Sequence, residues 1–238
     1  MTPATARVRR VVTSRQGGAS RAPYDTFNLG AHVGDDARTV ERNRDRLAAE
    51  LRLDRGSFTW MHQVHGGEVT VVRSGPSDRV PVCDALVTDT PGVALVVQVA
   101  DCVPVLLADA QAGIVAAAHA GREGVRRRVV TRTVEAMVEL GAEPRGLDVL
   151  LGPAICGRCY EVSAEIADFV GSVAPGGASR TWSGAPALDL RAALAVELGR
   201  LGIGRIVSDP RCTVEDPTLF SYRRDGITGR QVGVVWTS

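Results

Sequence analysis

Cys102 and His119 are the two side chains whose chemistry and spacing invite explanation before any others. They bracket apolar runs in VALVVQVADCVPVLLADAQAGIVAAAHAGREG, residues 93–124. Residues 103–108 and 113–118 read as buried strands, because each run is short, rich in Val and Ala and bounded by turn residues. A hairpin closing on Ala110 and Gln111 pairs Asp109 with Ala112 and, traced back along the ladder, sets Cys102 directly opposite His119. Opposed residues share one face with Cβ atoms about 4.5–5.5 Å apart. A free Cys often serves only as a small hydrophobe. A thiol beside an imidazole is either an activated nucleophile or half of a zinc ligand set, and the residues alone leave both readings open.

A third candidate comes from the histidines. Three of the four, His32, His65 and His119, stand in glycine-containing turns, a placement that a packed core imidazole does not need. His65, Cys102 and His119 are therefore expected to converge at one end of a sheet. Two imidazoles and a thiolate leave the fourth corner of a tetrahedron for water, the arrangement of a catalytic zinc. The five cysteines are an odd number spread along the chain, which argues against a disulfide framework. Cys156 and Cys159 form a lone CxxC without a second pair, read as structural or redox-incidental.

Patterning supplies the framework around these groups. Residues 7–13 read as a strand. Asp35 or Asp36 caps a helix whose Val40, Leu47 and Leu51 share a face and which ends near Leu53. Strands at 58–62 and 68–72 flank QVHGG, and a loop over 73–81 leads to a short strand in CDALVTDTPG and then to the run 93–99. One helix carries Val125, Val129, Val134, Met137 and Val138 and stops at Gly141. A strand at 149–152 is succeeded by helices at 164–173 and 190–201, capped by Ser163 and Asp189, with a loop over 174–186 between them. Strands at 203–207 and 233–236 bracket FSYRRDGITGR. The alternation lacks a clean βαβ rhythm and predicts an α/β or α+β fold with mixed sheets in a single domain, residues 1–238.

With 238 residues, 45% hydrophobic content and a net charge of +1, the chain has no global pull toward nucleic acid or anionic membrane. It contains no Lys, so all 28 cationic side chains are Arg. Schiff-base catalysis and a P-loop lysine are thereby excluded, and any phosphate recognition must rest on guanidinium forks and backbone amides. No apolar run approaches the ~18 residues of a membrane span. A cytoplasmic monomer with no nucleic-acid or membrane partner is expected.

The segments TFNLGAHVGDD, WMHQVHGGEV, DALVTDTPGVALVVQVADCVPVLLAD, GIVAAAHAG, LGPAICGRCYEVS and DPTLFSYRRDGITGRQVGVVW, in this order, resemble the YfiH/YlmD family. Its members were long labelled polyphenol oxidases or laccase-domain proteins and are now described as purine nucleoside phosphorylases. The resemblance implies Zn2+ held by His65, Cys102 and His119, which are also the expected catalytic residues. It implies a four-layer arrangement of mixed β-sheets between helices. It further implies phosphorolysis of adenosine, inosine and methylthioadenosine, together with deamination of adenosine, so that the partners are a purine nucleoside and phosphate. Arg223, Arg224 and Arg230, near Gly226 and Gly229, are the candidates for phosphate, and Asn28, Gln63 and Tyr160 for the pocket. The chain departs from the family's HAGWRG in carrying HAGREG, which puts Arg122 at a base-stacking position and Glu123 where a phosphate-facing cation is expected. A true multicopper oxidase is excluded by counting, since it needs on the order of ten imidazoles and this chain has four. Two other readings stand beside the phosphorylase: a metal-free Cys-His hydrolase acting on an amide, such as a misincorporated peptidoglycan precursor, and a catalytically weakened zinc-binding protein.

Overall fold

Strands made of continuous apolar runs with no polar alternation need cover on both faces, and the chain supplies that cover with a second sheet on one side and helices on the other. A computed structural model of the chain describes residues 5–73 and 80–238. In chain order its elements are β1 (Val8–Val12), α1 (Ala37–Leu51), β2 (Phe58–Thr59), β3 (Val69–Val71), β4 (Ala85–Thr88), β5 (Ala94–Val99), β6 (Val103–Asp109), β7 (Ile114–Ala120), α2 (Arg122–Arg126), α3 (Val129–Glu139), β8 (Leu147–Leu151), α4 (Ala164–Val173), β9 (Ala178–Arg180), β10 (Pro186–Leu188), α5 (Leu190–Arg200), β11 (Arg205–Ser208), α6 (Tyr222–Asp225) and β12 (Gln231–Thr237).

One sheet has the order β1-β12-β5-β2 and the other β11-β8-β6-β7-β4-β3, while β9 and β10 form a separate hairpin. Both large sheets are mixed: β2 runs parallel to β5, β3 to β4 and β11 to β8, and the remaining neighbours are antiparallel. The period of two sorts the side chains. Leu106 and Ala108 of β6 meet Leu95, Val97 and Val235 of the facing sheet. Val105 and Leu107, one residue out of phase, meet Val130, Val134 and Met137 of α3 and Leu194 and Leu198 of α5. On the far side, Leu47 and Ala48 of α1 cover Val96, Val234 and Trp236. The result is helix, sheet, sheet, helix, the expected four-layer α/β arrangement with mixed sheets. No helix among the described residues is long and apolar enough to cross a membrane.

Three helix starts obey the local signals: Asp36, Ser163 and Asp189 accept from the backbone N–H groups of Thr39, Ile166 and Ala192. Other expectations are corrected. The single helix after His119 is two, because Arg128 takes a left-handed conformation (φ 58°) between α2 and α3. The loop expected over 174–186 contains β9 and leads into β10, and FSYRRDGITGR includes the short helix α6. The middle of the loop expected over 73–81 lies outside the described residues.

The central hairpin is also shifted. Asp109 pairs with Ile114 rather than Ala112, so Pro104 stands opposite His119. The cause is chemical. Asp109 Oδ1 accepts from the N–H groups of Gln111 and Ala112, at 2.9 and 3.0 Å, and Gly113 takes φ 70°, so the turn holds four residues. A slip of two preserves which face each side chain occupies. Cys102 and His119 are therefore diagonal neighbours on one face rather than directly opposed.

Candidate active site

β5 belongs to one sheet and β6 to the other, so the turn between them, Ala100–Asp101–Cys102, crosses the seam of the sandwich. Asp101 holds that turn. Its backbone sits at φ 97°, uncommon for a side-chain-bearing residue and a hallmark of functional loops. Its carboxylate accepts from Thr213 Oγ1 (2.6 Å), Ser221 Oγ (2.7 Å) and the Arg223 N–H (2.6 Å). His119 is delivered by β7 and is 3% exposed, whereas His65 lies in the turn before β3, again with positive φ (57°), and is exposed.

One residue that patterning did not single out gathers these pieces. Asp84, fully buried, precedes β4, whose pairing with β7 sets Ala85 against Ala118 and so puts Asp84 beside His119. Its carboxylate accepts from the N–H groups of Val64 (3.2 Å), His65 (3.0 Å) and Gly66 (2.6 Å) and bonds His119 Nδ1 at 2.8 Å. The neighbouring Gln63 clamps the same loop to β5, donating to the Gln98 carbonyl and accepting from its N–H, both at 2.8 Å. The only sequence trace of Asp84 is an acidic residue at the mouth of an apolar strand.

With Nδ1 spent on Asp84, His119 has Nε2 left for the side of Cys102. The His65 and His119 rings meet edge to face, centroids 4.7 Å apart, and His65 Nε2 lies 4.0 Å from Cys102 Sγ. One ligand atom from each of the three falls within 4.8 Å of the others. A tetrahedral zinc with legs of about 2.0 Å to nitrogen and 2.3 Å to sulfur spans an N···S edge of about 3.5 Å, so a small contraction closes the set. Glycine is required at 121: a Cβ there would fall 2.8 Å from Cys102 Sγ and 3.1 Å from His65 Cδ2. The donor set and the carboxylate behind His119 fit the ion, the latter being the usual support of a metal-bound imidazole.

The electrostatics point the same way. Burial opposes ionisation of Cys102, but the charge of His119 and hydrogen bonds from both histidines outweigh it and bring the thiol down to about 6. Burial likewise opposes a proton on His119, yet the Cys102 thiolate and Asp84 raise it to about 9. An imidazolium between two anions is held where a divalent cation would be held. In chelator-treated protein, alkylation of Cys102 is expected to reach half its limiting rate near pH 6 instead of the ~8.5 of a free thiol. His119→Ala should move that midpoint upward, as read by site-resolved mass spectrometry.

The three residues form the floor of a cavity of about 430 Å3, within the ~300–1,000 Å3 typical of small-molecule sites. Gln63, Tyr160, Arg223 and Arg230 line it, joined by His32, Gln98, Asp101, Ile155 and Tyr222. Arg223 stacks over the Tyr160 ring at 5.0 Å and donates to the Glu161 carbonyl at 2.9 Å. Arg230 gives Nη1 to the carbonyls of Thr228 and Gly229, and among the described residues its Nε and Nη2 bond no protein acceptor. Burial, then the charge of Arg230, holds His32 below the usual imidazole value, and burial raises the Tyr160 phenol.

Two expected pocket residues do not line the cavity. Asn28 is fully buried, and its side chain bonds Gly30, Asp35 and the Arg230 N–H. Arg224 spends its guanidinium on the carbonyls of Thr213, Val214, Asp216 and Leu219 and on Asp225, which fastens the loop beneath α6. Arg122 and Glu123 also stand outside the lining, and Glu123 accepts from Arg126 Nε at 2.8 Å.

Residues 9–238 match the family model described as multi-copper polyphenol oxidoreductase laccase. A Mycobacterium tuberculosis relative named purine nucleoside phosphorylase is 54% identical over 97% of this chain and 92% of its own length. A Corynebacterium glutamicum protein of the same name is 51% identical, covering 96% and 94%. Among solved structures, YlmD from Geobacillus stearothermophilus superposes with a TM-score of 0.88 at 33% identity, covering 97% of this chain and 92% of that one. YfiH from Bacillus licheniformis gives 0.89 at 28% identity, covering 97% and 93%. With the fold, the His-Cys-His floor and these matches in agreement, the chain belongs to the YfiH/YlmD laccase-domain family.

Proposed function

We propose that this chain is a purine nucleoside phosphorylase holding zinc on His65, Cys102 and His119, and that adenosine deamination is a second reaction of the same cavity. What supports this reading most is the meeting of three metal-competent donors, within 4.8 Å of one another, on the floor of a cavity whose walls carry Arg223 and Arg230. The names of relatives at 54% and 51% identity supply the substrate class.

When bound, zinc supplies Lewis acidity and the activation of water near neutral pH. The chain's own groups then divide the rest. Arg230, with Nε and Nη2 free of protein acceptors among the described residues, and Arg223, propped on Tyr160, bind phosphate by charge-assisted bonds. That places an anion beside the sugar carbon as the glycosidic bond lengthens and positive charge grows on the ribose. Tyr160 keeps its proton at neutral pH and offers a donor to the cavity, and His32, held neutral, offers a donor or an acceptor. Asp101 positions Arg223 through its N–H, and Asn28 positions Arg230 in the same way.

A panel of purine nucleosides incubated with and without phosphate tests the reading, with free base and ribose 1-phosphate required from the phosphate arm. Inosine from adenosine in the phosphate-free arm identifies the deamination. Arg230→Gln is expected to raise KM for phosphate by about tenfold or more, the value of one charge-assisted bond, and to leave phosphate-free deamination nearly unchanged.

A second reading has its own observation. The Cys102 thiolate and His119 imidazolium are the charge state of a nucleophilic cysteine and its base. Metal-free protein that cleaves an amide, loses that activity on alkylation of Cys102 and makes no free purine base would favour the hydrolase. Protein that binds zinc yet yields neither base nor inosine would favour a weakened zinc-binding protein.

A further inference from the structure

Neighbouring parallel strands end on the same side of a sheet, so the segments that come after β8 and after β11 are brought together. Ala154 and Cys212 form an isolated parallel bridge there, and the Thr213 N–H donates to the Ala154 carbonyl at 3.2 Å. The CxxC then closes a tight turn, the N–H groups of Cys159 and Tyr160 both donating to the Cys156 carbonyl at 3.0 Å. This presents the two sulfurs toward Cys212, whose Sγ accepts from the Cys156 N–H at 3.4 Å. Glu215, three residues on, brings Oε1 to 3.4 Å from Cys159 Sγ. One atom from each of Cys156, Cys159, Cys212 and Glu215 lies within 4.8 Å of the others.

We infer that these four residues form a second, structural site for zinc, sharing no ligand with the His65–Cys102–His119 set. Tetrahedral legs of about 2.3 Å to sulfur and 2.0 Å to oxygen give S···S edges near 3.8 Å and S···O edges near 3.5 Å, and the Cys159–Glu215 separation already matches the latter. A complete four-ligand set is the mark of a structural rather than a catalytic zinc. Nearby guanidinium groups are engaged elsewhere: Arg158 stacks over Trp182 at 4.3 Å and Arg211 grips Asp209. Cys212 is buried while Glu215 is exposed, so the ion has a dry anchor and a path in from solvent. On binding, three thiol protons pass to water and three sulfur–zinc bonds form, with no change of oxidation state. The ion joins two walls of the cavity, because Tyr160 directly succeeds Cys159 and the Cys212 segment leads to Arg223.

The test starts from Cys102→Ser, which disables the first set and leaves the second whole. After reconstitution with zinc and gel filtration, elemental analysis is expected to find about one zinc per chain, and replacement by cobalt(II) should give intense near-ultraviolet thiolate charge-transfer bands. Adding Cys156→Ser and Cys212→Ser should abolish both signals. If that triple variant fails to fold, Cys102→Ser alone still decides through thiol counting, with three thiols shielded until a chelator is added. No zinc and no cobalt bands in Cys102→Ser would overturn the inference. So would a disulfide joining two of the three cysteines in freshly purified protein.

Discussion

His119→Ala is expected, on the function proposed above, to cost the chain the metal assigned to His65, Cys102 and His119 and to lower kcat/KM for phosphorolysis by at least about a hundredfold, the usual cost of removing one preorganised electrostatic element from a reaction centre. The substitution removes a proposed ligand and also leaves a gap where an imidazole sat 4.7 Å from the His65 ring, with the buried Asp84 keeping its three backbone N–H donors but losing its imidazole partner. The proposed deamination should fall in parallel, because it is assigned to the same cavity floor. Assays of base, ribose 1-phosphate and inosine on the purified variant, with metal content measured on the same sample, check this. Phosphorolysis that survives without the metal would separate the two and return weight to the arginines alone.

Asp84→Asn should produce the second largest effect while touching neither substrate nor ion. The carboxylate serves three backbone N–H groups and His119 Nδ1, and an amide can accept through only one of its two ends. Zinc affinity is expected to drop about 10–100-fold, the range for loss of a carboxylate behind a ligating histidine. Stability is expected to drop by about 3–5 kcal/mol, as when one partner of a buried charged pair is removed. Zinc titration calorimetry and denaturant unfolding measure the two separately. The pH dependence has a definite sign. Burial opposes ionisation of Asp84, but its hydrogen bonds hold it below the usual carboxylate value. Its stabilisation is therefore present above the unfolded-state value and fades only as acidification passes the lowered one. The Asn variant should lack that acid limb.

Much of this molecule was legible in the sequence wherever a local signal governs. The caps at Asp36, Ser163 and Asp189 act within a few residues of themselves, and each helix begins where its cap predicts. The apolar runs of β5, β6 and β7 announced strands because they are short, rich in Val and Ala and bounded by turn residues. Legibility failed where one residue takes a conformation or a partner that composition does not rank first, and where residues far along the chain are brought together. The hairpin slipped by two because the Asp109 side chain captured two backbone N–H groups, an outcome that composition does not rank above a two-residue turn. The α2–α3 break was invisible because an arginine, not a glycine, takes the left-handed position. Asn28 and Arg224 read as pocket groups by chemistry, but the distant Arg230 N–H claims Asn28, and the carbonyls of Thr213 and Leu219 claim Arg224. Cys212 and Glu215 could not be joined to the CxxC without knowing that β8 and β11 run parallel.

The excursion of β5 carries a consequence for how the molecule melts. The chain passes from one sheet to the other before β5 and returns after it, and the His65 loop is tied to both, through Gln63 to Gln98 and through Asp84 to the strands beside it. A centre stitched across two layers cannot be dismantled by fraying of either one. Its amides should exchange with deuterium at the slow rate of whole-molecule opening, so the His65–Cys102–His119 floor keeps its shape until the sandwich itself slides apart.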